Sequence, residues 1–147
     1  MTLRAVSGRT TAESVEDLTR WLRDLTGCPP VNSTMVVTCA QPRHDEPAVW
    51  FYVEADRAEG VARLRCLGCG GTRSLLDSAE RWTYPATWCC GSCGQSIAEV
   101  AYGMHLDDDE SVHWVAVGVR CVNCGELGGV ADFVVPGLSI EEVRAAF

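Results

Sequence analysis

Three short segments constrain this chain more than anything else in it: Cys66-Leu67-Gly68-Cys69-Gly70, Cys90-Gly91-Ser92-Cys93-Gly94 and Cys121-Val122-Asn123-Cys124-Gly125. Each is a C-x2-C-G knuckle, two thiols on a tight turn that glycine helps to close. Two knuckles brought together make a tetrahedral four-thiolate cage, the usual closed site for structural Zn²⁺. Any fold open to this chain has to bring knuckles together, and three copies leave one pair over.

The spacing says how they meet. Twenty residues separate Cys69 from Cys90, and twenty-seven separate Cys93 from Cys121. A strand out, a turn near Ala79–Arg81 and a strand back returns the second knuckle to the first. A longer hairpin does the same for the third. All three knuckles are therefore expected at one end of an antiparallel sheet. The shortest spacing favours Cys66, Cys69, Cys90 and Cys93 around one ion. Two other pairings stay open: Cys90, Cys93, Cys121 and Cys124, with the first knuckle left over, or the first knuckle with the third. A second ion is a further option. Cys89 is a seventh thiol that can help by bridging, and His105 or His113 can complete a set. Cys28 and Cys39 are isolated and read as small buried hydrophobes. His44 reads as a solvated loop residue.

The rest of the chain divides around the knuckles. Thr10-Thr11-Ala12-Glu13 has capping-box spacing, and Val15, Leu18, Leu22 and Leu25 share one helical face. With Gly27 and Pro29-Pro30 as a stop, this predicts an amphipathic helix over 11–26. Residues 34–39 and 48–54 predict a hairpin with a polar loop between them. The charged turn at 55–59 marks a division into residues 1–59, the helix and hairpin, and 60–147, the knuckle region. Within the second part Val61–Cys66 resembles Val115–Cys121, and Thr83–Cys90 supplies a middle copy, so the unit repeats as strand, knuckle, strand. Residues 96–106, 111–120 and 130–135 predict strands, Pro136-Gly137 a turn, and Ser139-x-x-Glu142 the capping box of a short terminal helix.

On these knuckles, residues 60–106 resemble a zinc ribbon, in which two C-x2-C-G turns at hairpin tips clamp one Zn²⁺, and residues 88–135 resemble a second, overlapping one. The resemblance implies zinc held by Cys66, Cys69, Cys90, Cys93, Cys121 and Cys124. The expected fold class is mainly β (small α+β): antiparallel ribbon-type hairpins with one N-terminal amphipathic helix and one short C-terminal helix. It leaves the function open, because zinc ribbons serve transcription, translation, enzyme-accessory and protein-interaction roles alike.

Composition narrows the roles. Nine cysteines, six of them in knuckles, favour metal over disulfides in a chain whose first residues are polar and do not read as an export signal. No apolar run approaches the length of a membrane span. The expected location is the cytoplasm, with no membrane partner. The all-arginine base of twelve residues points to a GC-rich bacterial genome. A net charge of −8 weighs against nucleic acid, whose binding rests on a basic surface. Arg63, Arg65, Arg73 and Arg81, with Trp82, Tyr84 and Trp88 among them, keep a nucleic-acid interface as the alternative. Closed thiolate cages leave no coordination position for substrate, and no metalloprotease, phosphate-loop or dinucleotide motif is present, so an enzyme is not expected. The Asp107–Glu110 run lacks the ligand spacing of a calcium loop. The leading expectation is a non-catalytic zinc-stabilised module that binds another protein. A thiol redox switch through a spare knuckle is a second alternative.

Overall fold

The alternation of large and small side chains along two adjacent strands fixes the architecture. In this computed structural model, which describes residues 4–6, 9–25 and 30–147, β7 (Ala98–Leu106) and β8 (Ser111–Cys121) form the central hairpin. Val100, Tyr102 and Met104 stand opposite Val119, Val117 and Val115, while Ala101 and Gly103 stand opposite Gly118 and Ala116. Cross-strand partners point to the same side, so one face of the hairpin is bulky and the other nearly bare. The bulky face joins Phe51, Val53, Leu64, Leu75, Phe133 and Val143 in the main core.

The bare face takes the helix. The N-terminal ribbon, β1 (Arg4–Val6) and β2 (Arg9–Thr11), leads into α1 (Val15–Arg23). A Cβ built on Gly118 would lie 3.1 Å from Leu22 Cδ2 and 3.2 Å from Leu18 Cδ1. The helix can therefore approach this closely only because β8 has no side chain there. Leu18 and Leu22 are fully buried in consequence. The helix is shorter than the predicted 11–26. Ser14 caps it by accepting from Asp17 N–H, and Thr10, the predicted cap, is a strand residue. The predicted stop at Gly27–Pro29, and Cys28 with it, fall outside the described residues.

Around the hairpin the strands run β6 (Thr72–Ser74), β5 (Val61–Cys66), β4 (Phe51–Asp56), β7, β8 and β9 (Leu127–Ser139). β4, β5 and β6 form a meander, and β4 meets β7 at Phe51↔Ala98. The division drawn at 59/60 thus falls in the turn of the β4–β5 hairpin, where Gly60 has φ +65°. β3 (Ser33–Val36) also pairs with β7, at residues 101–104. β3 and β4 therefore share one edge of β7 in place of the predicted hairpin, and only the Cys39↔Ala48 bridge closes the loop between them. Residues 75–97 carry turns and the single Glu54↔Thr87 bridge, so the predicted pair of strands joining the first two knuckles reduces to β6.

β9 is longer than predicted. It runs through Pro136-Gly137, and the ladder absorbs them as a bulge between Trp114↔Val134 and Val112↔Leu138. Ser139 then caps α2 (Ile140–Ala145) in the predicted capping box. Phe147 follows and stacks on Tyr102, with ring centroids 4.0 Å apart. The protein is mainly β, antiparallel throughout its sheets. Among the described residues no helix is long and apolar enough to cross a membrane.

Candidate metal centres

One row of the sheet determines which thiols meet. Cys66 ends β5 opposite Phe51, Phe51 starts β4 opposite Ala98, and Ala98 starts β7 opposite Cys121. All the knuckles thus lie at the same end of the sheet. Along this row Cys66 and Cys121 are three strand spacings apart, about 14 Å at the usual ~4.8 Å per step. That separation is too great for the first and third knuckles to share an ion. The second knuckle immediately precedes β7 and the third ends β8, so the direct pairing of those two strands sets them side by side.

Cys90, Cys93, Cys121 and Cys124 accordingly form one cluster, with all four sulfurs within 4.8 Å of one another. Cys90 Sγ lies 3.6 Å from Cys124 Sγ, and Cys93 Sγ lies 3.5 Å from Cys121 Sγ. A tetrahedron with metal–sulfur bonds of about 2.3 Å has edges of about 3.8 Å, so the spacing fits an ion held by four thiolates. Each knuckle is braced by its own backbone: Gly94 N–H donates to Cys90 C=O at 2.9 Å, and Gly125 N–H to Cys121 C=O at 2.8 Å. Val122 N–H donates to Ile97 C=O at 3.1 Å and ties the two knuckles together. Glu126 lies across the site, accepting from Ser92 Oγ at 2.8 Å and from Cys90 Sγ at 3.1 Å. Hydrogen bonds from the Asn123 side chain and the Gln95 backbone hold the Cys93 thiol down at about 6. Burial pushes Cys90 up to about 11 and also raises Cys121 and Cys124.

The first knuckle has different partners. Cys39, His44, Cys66 and Cys69 form a second cluster of the same compactness. Cys39 Sγ is 3.8 Å from Cys69 Sγ, and His44 Nε2 is 3.4 Å from Cys66 Sγ. The Cys39↔Ala48 bridge positions Cys39, and the loop it closes folds His44 over the knuckle. Room for the imidazole comes from the middle of the knuckle itself: a Cβ on Gly68 would lie 2.8 Å from His44 Cε1. The Gly71 N–H, with His44, lowers Cys69 to about 7, while burial raises Cys39.

The favoured set of Cys66, Cys69, Cys90 and Cys93 is therefore not assembled, and the first alternative pairing is. The first knuckle is not left over: Cys39 is buried in the main core, as expected, but it is not isolated, and His44 is not a solvated loop residue, because both turn to Cys66 and Cys69. A sequence signal for them exists: Cys39 and His44 are themselves a C-x4-H pair, two soft donors at knuckle-like spacing. Cys89 belongs to neither cluster among the described residues; it is exposed and donates to Gly94 C=O at 3.1 Å. His105 and His113 complete neither centre. They flank Asp107 at the tip of the β7–β8 hairpin, each with Nε2 3.4 Å from one of its carboxylate oxygens.

The arginines of the alternative interface are largely engaged within the molecule. Arg63 pairs with Glu54 and lies over the Trp82 ring at 4.5 Å. Arg81 pairs with Asp77 and donates to the carbonyls of Glu59 and Gly60. Arg73 donates to Thr38 C=O, and Arg65 lies over the Tyr52 ring. Comparison with protein-family models, curated proteins and solved structures gives no match to this chain.

Proposed function

We propose that the chain is a non-catalytic interaction module whose surface is fixed by two structural Zn²⁺ ions, one in each cluster. Tetrahedral sets of four thiolates, or of three thiolates and an imidazole, are the donor chemistry that zinc takes in closed structural sites. The observation that carries the reading is that both sets are complete. With four protein donors each, neither centre keeps the open position that a hydrolytic zinc needs, and the chain has no spare knuckle for a redox pair.

The contact surface we assign lies beside the first centre, where Pro47, Ala48, Val49 and Trp50 face Leu67 and Gly68 across an apolar notch. Trp50 is 46% exposed and Leu67 36%, both large for apolar side chains with no partner to cover them. The net charge of −8 favours a basic protein partner reached in a reducing cytoplasm. The internal engagement of Arg63, Arg73 and Arg81 weighs against nucleic acid. The test is zinc content together with comparative capture. Two zincs per chain are expected, along with a set of captured proteins lost from Trp50→Glu/Leu67→Glu and kept by Val134→Glu, a control at an exposed position on β9. Capture unaffected by the notch substitutions would rule the surface out.

A further inference from the structure

We infer that the Cys39–His44–Cys66–Cys69 centre is an exchangeable site for a soft divalent cation, and that its ion is the clasp holding residues 40–47 onto the first knuckle. This rests on the two-zinc reading above and adds how one of the sites is regulated. The two clusters have the same size but are built from different material. In the Cys90–Cys124 centre all four donors belong to knuckles adjoining β7 and β8, the central hairpin of the sheet. Its outer contacts, the Val122–Ile97 backbone bond and the Glu126 carboxylate on Ser92, tie one knuckle to the other with or without an ion.

The first centre takes one of its four donors, His44, from the loop 40–47 and a second, Cys39, from the bridge at the base of that loop. Residues 40–43 and 45–47 are all exposed and contribute nothing to either apolar core. Beyond the Cys39↔Ala48 bridge at its base, the polar contacts of the loop with the knuckle are His44 Nε2 on Cys66 Sγ and Arg43 Nη1–H, which donates to Cys69 C=O at 3.3 Å. A segment with so little buried surface opens at low cost, so most of what holds it down is the His44–metal bond. The ion and the loop are then linked reciprocally. Binding the cation orders the loop, and withdrawing it frees the loop while the sheet stays closed at its other centre. Because the loop runs directly into Pro47 and the apolar notch, the availability of the cation sets whether that wall is presented.

The zinc-loaded protein is titrated with a chelator while three quantities are followed: ions retained per chain, far-ultraviolet circular dichroism, and trypsin cleavage at the Arg43–His44 bond. One ion should leave first, at a chelator level at least about tenfold below that needed for the second, a margin typical of differences in outer-shell support. Cleavage after Arg43 should rise at least tenfold at that point with the sheet signal unchanged. His44→Ala should start with one ion and rapid cleavage. Gly68→Val, which crowds His44 without altering a ligand, should shift the first step to lower chelator, and His44→Cys should keep the bond protected. Loss of both ions in one step, departure of the Cys90–Cys124 ion first, or no change at Arg43 after the first departure would each overturn the inference. Capture in the preceding test is read separately. Partners indifferent to the notch substitutions would remove the interface reading while the chelator steps still decide the clasp.

Discussion

The three knuckle glycines offer a controlled comparison, because they share a backbone conformation and differ in what surrounds them. Gly70, Gly94 and Gly125 have φ of +71°, +78° and +80°. Alanine in this left-handed region costs about 1–2 kcal/mol at any of the three. At Gly70 and Gly94 nothing lies within 4 Å of an added Cβ, so that cost is the whole of it. At Gly125 the added Cβ falls on the backbone carbonyl of Ala12. That carbonyl cannot simply turn aside. It accepts from Arg120 Nε at 2.8 Å, and Ala12 N–H donates to Gly125 C=O at 2.8 Å. Either the knuckle or the chain entering α1 has to shift, and overpacking of this kind adds about 1–3 kcal/mol. Gly125→Ala should therefore cost about 2–5 kcal/mol against about 1–2 for Gly70→Ala and Gly94→Ala. The assay is urea unfolding of the three variants with free zinc held at one fixed excess, since bound metal itself raises apparent stability. A Gly125→Ala protein no less stable than the other two would show that the N-terminal segment does not lean on the third knuckle.

Two further outcomes follow from the same geometry. Burial leaves Cys90, Cys121 and Cys124 protonated at neutral pH in the metal-free fold, while Cys93 is already a thiolate above about 6. Filling that centre at pH 7.5 should release about three protons, so its apparent affinity climbs with pH and falls on acidification; calorimetry in buffers of different ionisation enthalpy reads the number, and a release near zero would contradict it. Leu22→Ala removes a side chain that is 1% exposed and packed onto Gly118. It should cost about 2–5 kcal/mol while zinc content stays unchanged, and a loss of metal would mean that α1 supports a centre directly.

How much of this was legible in the sequence varies by element. The β7–β8 hairpin was readable because Ala98, Val100, Tyr102 and Met104 alternate without interruption, and the Ser139–Glu142 cap is a purely local pattern. Convergence of the knuckles on one end of the sheet also followed from spacing. The choice of partners did not, because sequence distance and distance across a sheet are different quantities. Cys69 is nearer to Cys90 in the chain than Cys93 is to Cys121, yet residues 75–97 form turns that do not return the second knuckle to the first. The decisive fact is the Phe51↔Ala98 contact, a pairing between strands far apart in sequence. His44 was missed for a related reason. A lone histidine in a polar loop looks solvated until the Cys39↔Ala48 bridge folds the loop back over Gly68. Pro136-Gly137 misled in the opposite direction, since a local turn signal was absorbed as a bulge in a longer strand.

The order in which the two centres close along the chain has a consequence for biosynthesis. Cys39 to Cys69 and Cys90 to Cys124 are consecutive loops that neither interleave nor nest. Every donor of the first has been made before residue 70 is added, and every donor of the second lies beyond it. A chain emerging from the ribosome N-terminus first therefore presents the whole first donor set, with the β4–β5 hairpin that carries its knuckle, before any donor of the second is made. The second then closes its own loop without threading anything through the first.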